Sequence, residues 1–190
     1  VDRFLCDVGG LSNYTAQRSS TAPAGFTNSL LLTMGTNATI DATDYAFFRQ
    51  YIEGFNTADL GLGTANASPF TLSFWVRSSV IGTFGVSFRN NAANATYCST
   101  YTISAANTWE YKTVAVPSIT AGTWTTDNTV GLGVFWDLGV GSTYSGTAGQ
   151  LNTGGNFFGV SSTTKLAATS GATFYITGVQ LEAGSTASPF

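Results

Sequence analysis

The segment FTLSFWVRS at 70–78 sets Phe70, Leu72, Phe74 and Val76 on one side of an extended chain and Thr71, Ser73, Trp75 and Arg77 on the other. TFGVSFRN at 83–90 repeats the pattern, with Phe84, Val86 and Phe88 inward and Ser87 and Arg89 outward. Similar short runs, rich in Val, Ile, Phe, Tyr and Thr and bounded by Gly, Asn or Pro, fall at 3–8, 29–34, 45–53, 96–103, 108–116, 131–138, 157–161 and 173–182. No window carries a capped i, i+3, i+4, i+7 stripe, so the period predicts an all-β sandwich or barrel of about ten strands in place of a βα alternation. Pairing 70–78 with 83–90 as a hairpin would put Trp75, Arg77 and Arg89 on one outer face.

The final strand contains a kink. In FYITGVQLEAGSTASPF, Phe174 and Ile176 face the core, Gly178 absorbs a bulge, and Val179 and Leu181 then return to the buried side while Gln180 and Glu182 point away. Two stretches break the rhythm, 118–130 and the Gly-, Ser- and Thr-rich 139–156, and the second is a long loop carrying Tyr144.

A chain of 190 residues reads as one domain with a sizeable core. Its 9% charged residues fall well below the soluble average, so its polarity comes mostly from hydroxyls and amides. A net charge of −3 with only seven Lys and Arg argues against nucleic acid. No basic amphipathic segment, targeting leader or apolar run of about 20 residues points to a membrane. Soluble behaviour is therefore expected. The sequence opens at Val1, as a processed chain or part of a longer one would. Cys6 and Cys98 match no metal motif and read as two free thiols.

With no histidine, the commonest general base and metal ligand are missing. Ten acids leave room for a carboxylate pair of the glycosidase kind, but most sit at strand ends or turns, where Asp caps or is solvated. DLGLGT at 59–64 reads as turn chemistry, and the N-x-[ST] matches at Asn13, Asn37, Asn66 and Asn94 are ordinary for this composition. A structural calcium held by Asp, Glu and backbone oxygens is the one cofactor left open, although no D-x-D-x-D-G loop occurs.

Aromatic residues, 14% of the chain, are its richest chemical resource. Indole and phenol rings stack on the C–H faces of sugars, and guanidinium forks and amides suit sugar hydroxyls. Trp75, Arg77, Arg89, Trp124 and Tyr144 are the candidate ligand-binding residues. Trp136 and Trp109 are expected in the core.

The pieces YIEGFNTADLGLGT, ASPFTLSFWVRSSVIGTFGVSFRN, NTWEYKTVAVP, GLGVFWDLGVGS and the closing VQLEAGSTASPF, in this order, resemble the jelly-roll domain of bacteriophage tail fibres and other virion-surface proteins, itself similar to carbohydrate-binding modules. The resemblance spans 45–190. It implies a jelly-roll β-sandwich, with residues 1–44 adding one or two strands, displayed on a virion surface and usually trimeric. It makes Gln180 and Glu182 structural, with Glu53 of the IEG piece counted alongside them, and has the closing Pro-Phe seal the sandwich. Gln180 and Glu182 are then expected to satisfy buried backbone groups near the N-terminal strands or at a sheet corner. The function implied is a non-enzymatic surface module binding host glycans. Its rivals are a capsid decoration protein that only cements the shell and a glycan depolymerase. Other virion proteins and further copies of the chain, as a homotrimer, are the expected partners. Low charge and open strand edges favour such association.

Overall fold

The computed structural model describes residues 4–36 and 39–190. Arg3, at the start of the first expected strand, and the Asn37 acceptor site lie outside the described residues. Thirteen strands form, namely β1 (Phe4–Gly9), β2 (Thr15–Ser19), β3 (Ser29–Thr33), β4 (Tyr45–Glu53), β5 (Phe70–Ser78), β6 (Gly82–Arg89) and β7 (Ala95–Ile103). They continue with β8 (Glu110–Val116), β9 (Val130–Val140), β10 (Ser145–Gly146), β11 (Gln150–Thr153), β12 (Gly159–Val160) and β13 (Thr173–Ala183). Four short 3-10 turns are the only helical elements among the described residues, and no helix is long and apolar enough to cross a membrane.

Two antiparallel sheets stack as a jelly-roll β-sandwich. One has six strands in the order β1-β4-β9-β6-β7-β11, and the other five in the order β2-β3-β13-β5-β8. The first 44 residues therefore contribute to both layers, β1 to the edge of the larger sheet and β2 and β3 to the smaller. β2, with the polar sequence TAQRS and four exposed residues, carries no apolar period by which to recognise it. The stretch 139–156 is also more ordered than its composition suggests, since it holds β10 and β11.

The core lies between the inner faces. Phe70, Leu72, Phe74 and Val76 from β5 and Phe84, Val86 and Phe88 from β6 are buried there. These two strands do not form the hairpin that their spacing suggests. β5 pairs with β13 and β8, whereas β6 pairs with β7 and β9. Each strand has one wholly apolar face, and alternation buries that face equally well beside a neighbour or across from it; here the two strands sit in opposite layers with the faces in contact. Phe70 and Phe88 meet in this way, ring centres 5.2 Å apart and nearly perpendicular. Trp75 and Arg77 thus lie on the outside of one sheet and Arg89 on the outside of the other.

Trp136 is fully buried, stacked on Phe48 at 4.7 Å with an interplanar angle of 5°. Trp109 is only half-buried and packs edge-on against Tyr175, because it precedes β8 and lies over the outer surface of the smaller sheet. Both cysteines are free, Cys6 exposed and Cys98 buried. Burial pushes the Cys98 thiol up to about 12, so it remains protonated and inert.

One carboxylate organises the outer side of the larger sheet. Asp137 on β9 is completely buried. It accepts hydrogen bonds from the backbone N–H groups of Val140 (2.9 Å) and Val160 (3.0 Å), from the Thr163 hydroxyl (3.2 Å) and from the Lys165 ammonium (2.8 Å). These bonds pin the segment 140–165 across β6 and β7. Asp137→Ala would strand two buried N–H groups and the Lys165 charge, and is expected to cost about 3–5 kcal/mol. Chemical denaturation measures this. A loss below about 1 kcal/mol would show that the segment is held by its apolar contacts instead.

A groove on the outer face of the six-stranded sheet

The outward side chains of β4, β9 and β6 stand in register. Tyr51, Gly133 and Arg89 form one row across the sheet, and Arg49, Phe135 and Ser87 form the next. β4 reads YAFFRQYIE, so Tyr45, Phe47, Arg49 and Tyr51 share the outer side while Ala46 and Phe48 enter the core. This strand is aromatic on both faces.

The pinned segment covers half of this surface. Ser87, Thr96 and Cys98 donate to the carbonyls of Phe158, Phe157 and Gly159, which presses the segment onto β6 and β7. Gly85 and Gly159 permit the close approach, since a Cβ on Gly159 would meet the Val140 side chain at 2.4 Å. Phe158 packs on Phe47 at 4.7 Å and on Phe135 at 6.2 Å, forming with Val140 a small second core outside the sandwich. Tyr144 stacks on Phe158 at 4.9 Å with an interplanar angle of 20°.

Where this cover ends, a groove of roughly 240 Å³ opens, lined by Asp7, Tyr45, Phe47, Arg49, Arg89, Tyr144, Asn156 and Phe158. Tyr45 and Tyr144 are half-buried, and Tyr51 is half-buried beside Arg49 at the margin of the groove. Both arginines are layered between rings. The Arg49 guanidinium lies 4.6 Å from the Tyr51 ring centre and 5.7 Å from that of Phe135, and the Arg89 guanidinium lies 4.4 Å from Phe135. Gly133 lets the Phe135 and Tyr51 rings close over the backbone of β9, since a Cβ there would meet them at 2.7 and 2.9 Å.

Arg89 donates to the Asn156 side chain. Burial lowers its pKa, the Tyr51 hydroxyl opposes that shift and the Arg49 charge adds to it, yet a guanidinium stays protonated at any ordinary pH. Arg49 pairs with Asp7 at 3.4 Å. Asp7 is the single carboxylate among the residues lining the groove, so the acid pair that glycoside hydrolysis uses is not assembled there. No three Asp, Glu or Cys side chains converge as a metal-binding group among the described residues.

Of the residues singled out from sequence, Arg89 and Tyr144 meet in this groove. Trp124 does not: it is 8% exposed, belongs to the main core and donates its ring N–H to the Ala121 carbonyl, which leaves no face for a ligand. Trp75 and Arg77 lie on the opposite side of the molecule. Arg77 donates to the Asn107 carbonyl at 2.8 Å and lies over the Tyr175 ring. Trp75 contacts Tyr111 at 5.4 Å and lines a shallow apolar depression with Phe26, Pro189 and Phe190. Tyr45, Arg49, Tyr51 and Phe158 were missed. The available signal was the second aromatic face of YAFFRQYIE, a strand whose other face already supplies the core.

Glu53 ends β4 exposed, before the 3-10 turn Gly54–Asn56, and its side chain does not cap that turn. Gln180 and Glu182 follow the expected bulge at Gly178, whose φ of 59° suits glycine and whose Cβ would meet the Phe26 ring at 2.7 Å. Their partners are not buried backbone groups near the N-terminal strands. Gln180 donates to the Ser188 hydroxyl, while Glu182 accepts from that hydroxyl (2.6 Å) and from the Ser188 N–H (3.1 Å). Together they clasp the C-terminal tail back over the smaller sheet, so that Phe190 packs at a tilt against Phe26, ring centres 5.0 Å apart, on the outside of the sandwich and not across its open end.

No family model and no curated protein matches this sequence. Among solved structures, the chain is similar to the enzymatically active domain of tailspike protein 4 of bacteriophage CBA120, with a TM-score of 0.54 and 13% identity over 96% of this chain. The chain spans 19% of that protein's length. It is also similar to a CBM4 carbohydrate-binding module, with a TM-score of 0.53 and 14% identity over 96% of this chain and 88% of the other. The C-terminal family 22 carbohydrate-binding module of a Clostridium thermocellum protein matches with a TM-score of 0.50 and 12% identity, over 98% and 90% of the two chains. At these identities the likeness establishes a shared jelly-roll fold.

The tail clasp has a defined pH dependence. The Ser188 hydroxyl holds the Glu182 carboxyl below its ordinary range, assisted by the Ser188 N–H and by Gln180. The clasp is complete above the ordinary carboxylate pKa and is lost as pH falls through the lowered folded value. Glu182→Ala at neutral pH, or acid in the wild type, should raise acrylamide quenching of Trp75. A Trp75→Phe background should remove the increase. Unchanged quenching in Glu182→Ala would mean that the Phe26–Phe190 contact holds the tail unaided.

Proposed function

We propose that this protein is a non-catalytic glycan-binding module whose site is the groove on the six-stranded sheet. The observation that carries the proposal is the arrangement of half-buried Tyr45 and Tyr144 in the groove, with Tyr51 beside it, around Arg49, Arg89 and Asn156 on the outer face of a jelly roll. Rings supply stacking faces for pyranose C–H groups, and guanidinium and amide groups supply hydrogen bonds to hydroxyls. Most of these side chains stand on paired strands, so the site needs little ordering when it binds. The likeness to carbohydrate-binding modules supports the reading. The single groove carboxylate favours binding without turnover.

Display on a bacteriophage virion, with host surface glycans as targets, is the biological setting we infer. The tailspike likeness and the order of the sequence pieces support it. Such a module works in several copies, and the open edges at β2, β8, β1 and β11 together with the Trp75–Phe190 surface favour a homotrimer. Light scattering at micromolar concentration is expected to return three chains, and a single-chain mass would remove the trimer.

The site assignment is tested by calorimetric titration with any glycan captured on an array. Tyr51→Ala and Tyr144→Ala should each weaken binding at least tenfold, about 1.4 kcal/mol. Trp75→Ala should leave it unchanged. Loss of binding in Trp75→Ala with full binding in the two tyrosine variants would transfer the site to the smaller sheet.

A further inference from the structure

The groove concentrates positive charge in a chain that has little of it. Two of the protein's seven basic residues, Arg49 and Arg89, line it, against Asp7 as the one acid. The whole chain carries −3. Both guanidiniums flank the same Phe135 ring, 5.7 and 4.4 Å from its centre, and Arg89 is only 9% exposed. Like charges this close and partly desolvated repel. The surrounding rings compensate the planar faces of the guanidiniums by cation–π contact, and at the edges Arg89 is met by Asn156 and the Tyr51 hydroxyl, whereas Arg49 is met, among the described residues, only by Asp7.

The Arg49 edge is under-used. The Nε of Arg49 is buried and has no hydrogen-bond partner among the described residues. Its Nη2 reaches Asp7 at only 3.4 Å, longer than a charge-assisted hydrogen bond. Asp7 itself is 41% exposed at the side chain, on the edge strand β1, so it is screened and offers weak compensation. A neutral sugar would leave this imbalance in place. An anion would remove it, and a carboxylate matches the fork of donors that a guanidinium presents.

We propose that the groove selects acidic saccharides, the ring of a uronic or other carboxylated sugar lying against Tyr45 and Tyr144 with its carboxylate held between Arg49 and Arg89. This rests on the glycan-binding reading above and specifies its ligand class. The charge would serve selection as well as affinity, since a polyanionic glycan is drawn toward a positive groove on an otherwise acidic protein.

The experiment is a glycan array bearing uronate-containing and sialylated oligosaccharides, each beside its carboxyl-reduced counterpart, together with sulfated and neutral glycans. Calorimetry then follows on the captured members and their reduced forms. The expected result is capture of carboxylated members, at least a tenfold loss on carboxyl reduction, and a several-fold loss between 50 and 500 mM NaCl. Arg49→Gln should reduce the preference for the acidic form to less than about threefold, and Arg49→Lys should restore it only in part, because the charge returns without the fork. The comparison between acidic and reduced ligand on the wild-type protein does not depend on how either variant folds. Equal affinity for a glycan and its carboxyl-reduced form would overturn the acidic selectivity and leave glycan binding standing, as would capture of sulfated or neutral members alone. Capture of nothing would overturn both.

Discussion

The buried carboxylate of Asp137 is the constraint from which the functional face of this protein follows. It sits where the outer side of a sheet would ordinarily meet water, and its two oxygens collect two backbone N–H groups, a hydroxyl and an ammonium from the segment that crosses above it. A charge in that position is tolerable only with such a full set of partners. The segment must therefore follow one path, which places Tyr144, Asn156 and Phe158 as a wall above Phe47 and Phe135. Without the wall, the outer face of β4 and β9 would be a flat aromatic surface. With it, the same residues line a groove.

Two-sided burial of β4 and β9 links the scaffold to the site. Phe48 and Trp136 stack in the main core, while Phe47 and Phe135, one residue earlier on each strand, pack in the small outer cluster. Motion of either strand would disturb both cores at once, so the rows carrying Tyr51, Arg49 and Arg89 are held from beneath. The paired arginines are layered on rings, and the edge of Arg49 carries only a long ion pair with Asp7. On the opposite side, the Gln180–Glu182–Ser188 clasp seats the tail by a few local hydrogen bonds. That face has no comparable support.

Much of the fold was legible in the chain. The period of two in 70–78 and 83–90 assigned the correct inward residues, Gly178 marked the bulge, and Trp136 belonged to the core as read. The hairpin between those two strands was not legible as wrong, because alternation gives each strand a buried face without saying whether a neighbour lies beside it or across from it. Trp75 drew attention as an indole on the polar side of its strand. The same reasoning applied to YAFFRQYIE would have found Tyr45, Arg49 and Tyr51. Trp124, in an irregular stretch without a period, gave no local sign that it turns inward.

The sequence by itself determined the all-β class, the side chains that fill the sandwich, and a chemistry rich in aromatic and amide groups with no histidine, because these follow from periodicity and composition, which are local. Only the tertiary structure decided which sheet each outward residue belongs to, that the Gly-, Ser- and Thr-rich segment after β9 is tied down by Asp137, and that two arginines forty residues apart share one ring. Those outcomes depend on strand order and on a buried charge finding its partners. Both are set by contacts between residues distant in the chain, and no short window of sequence records them.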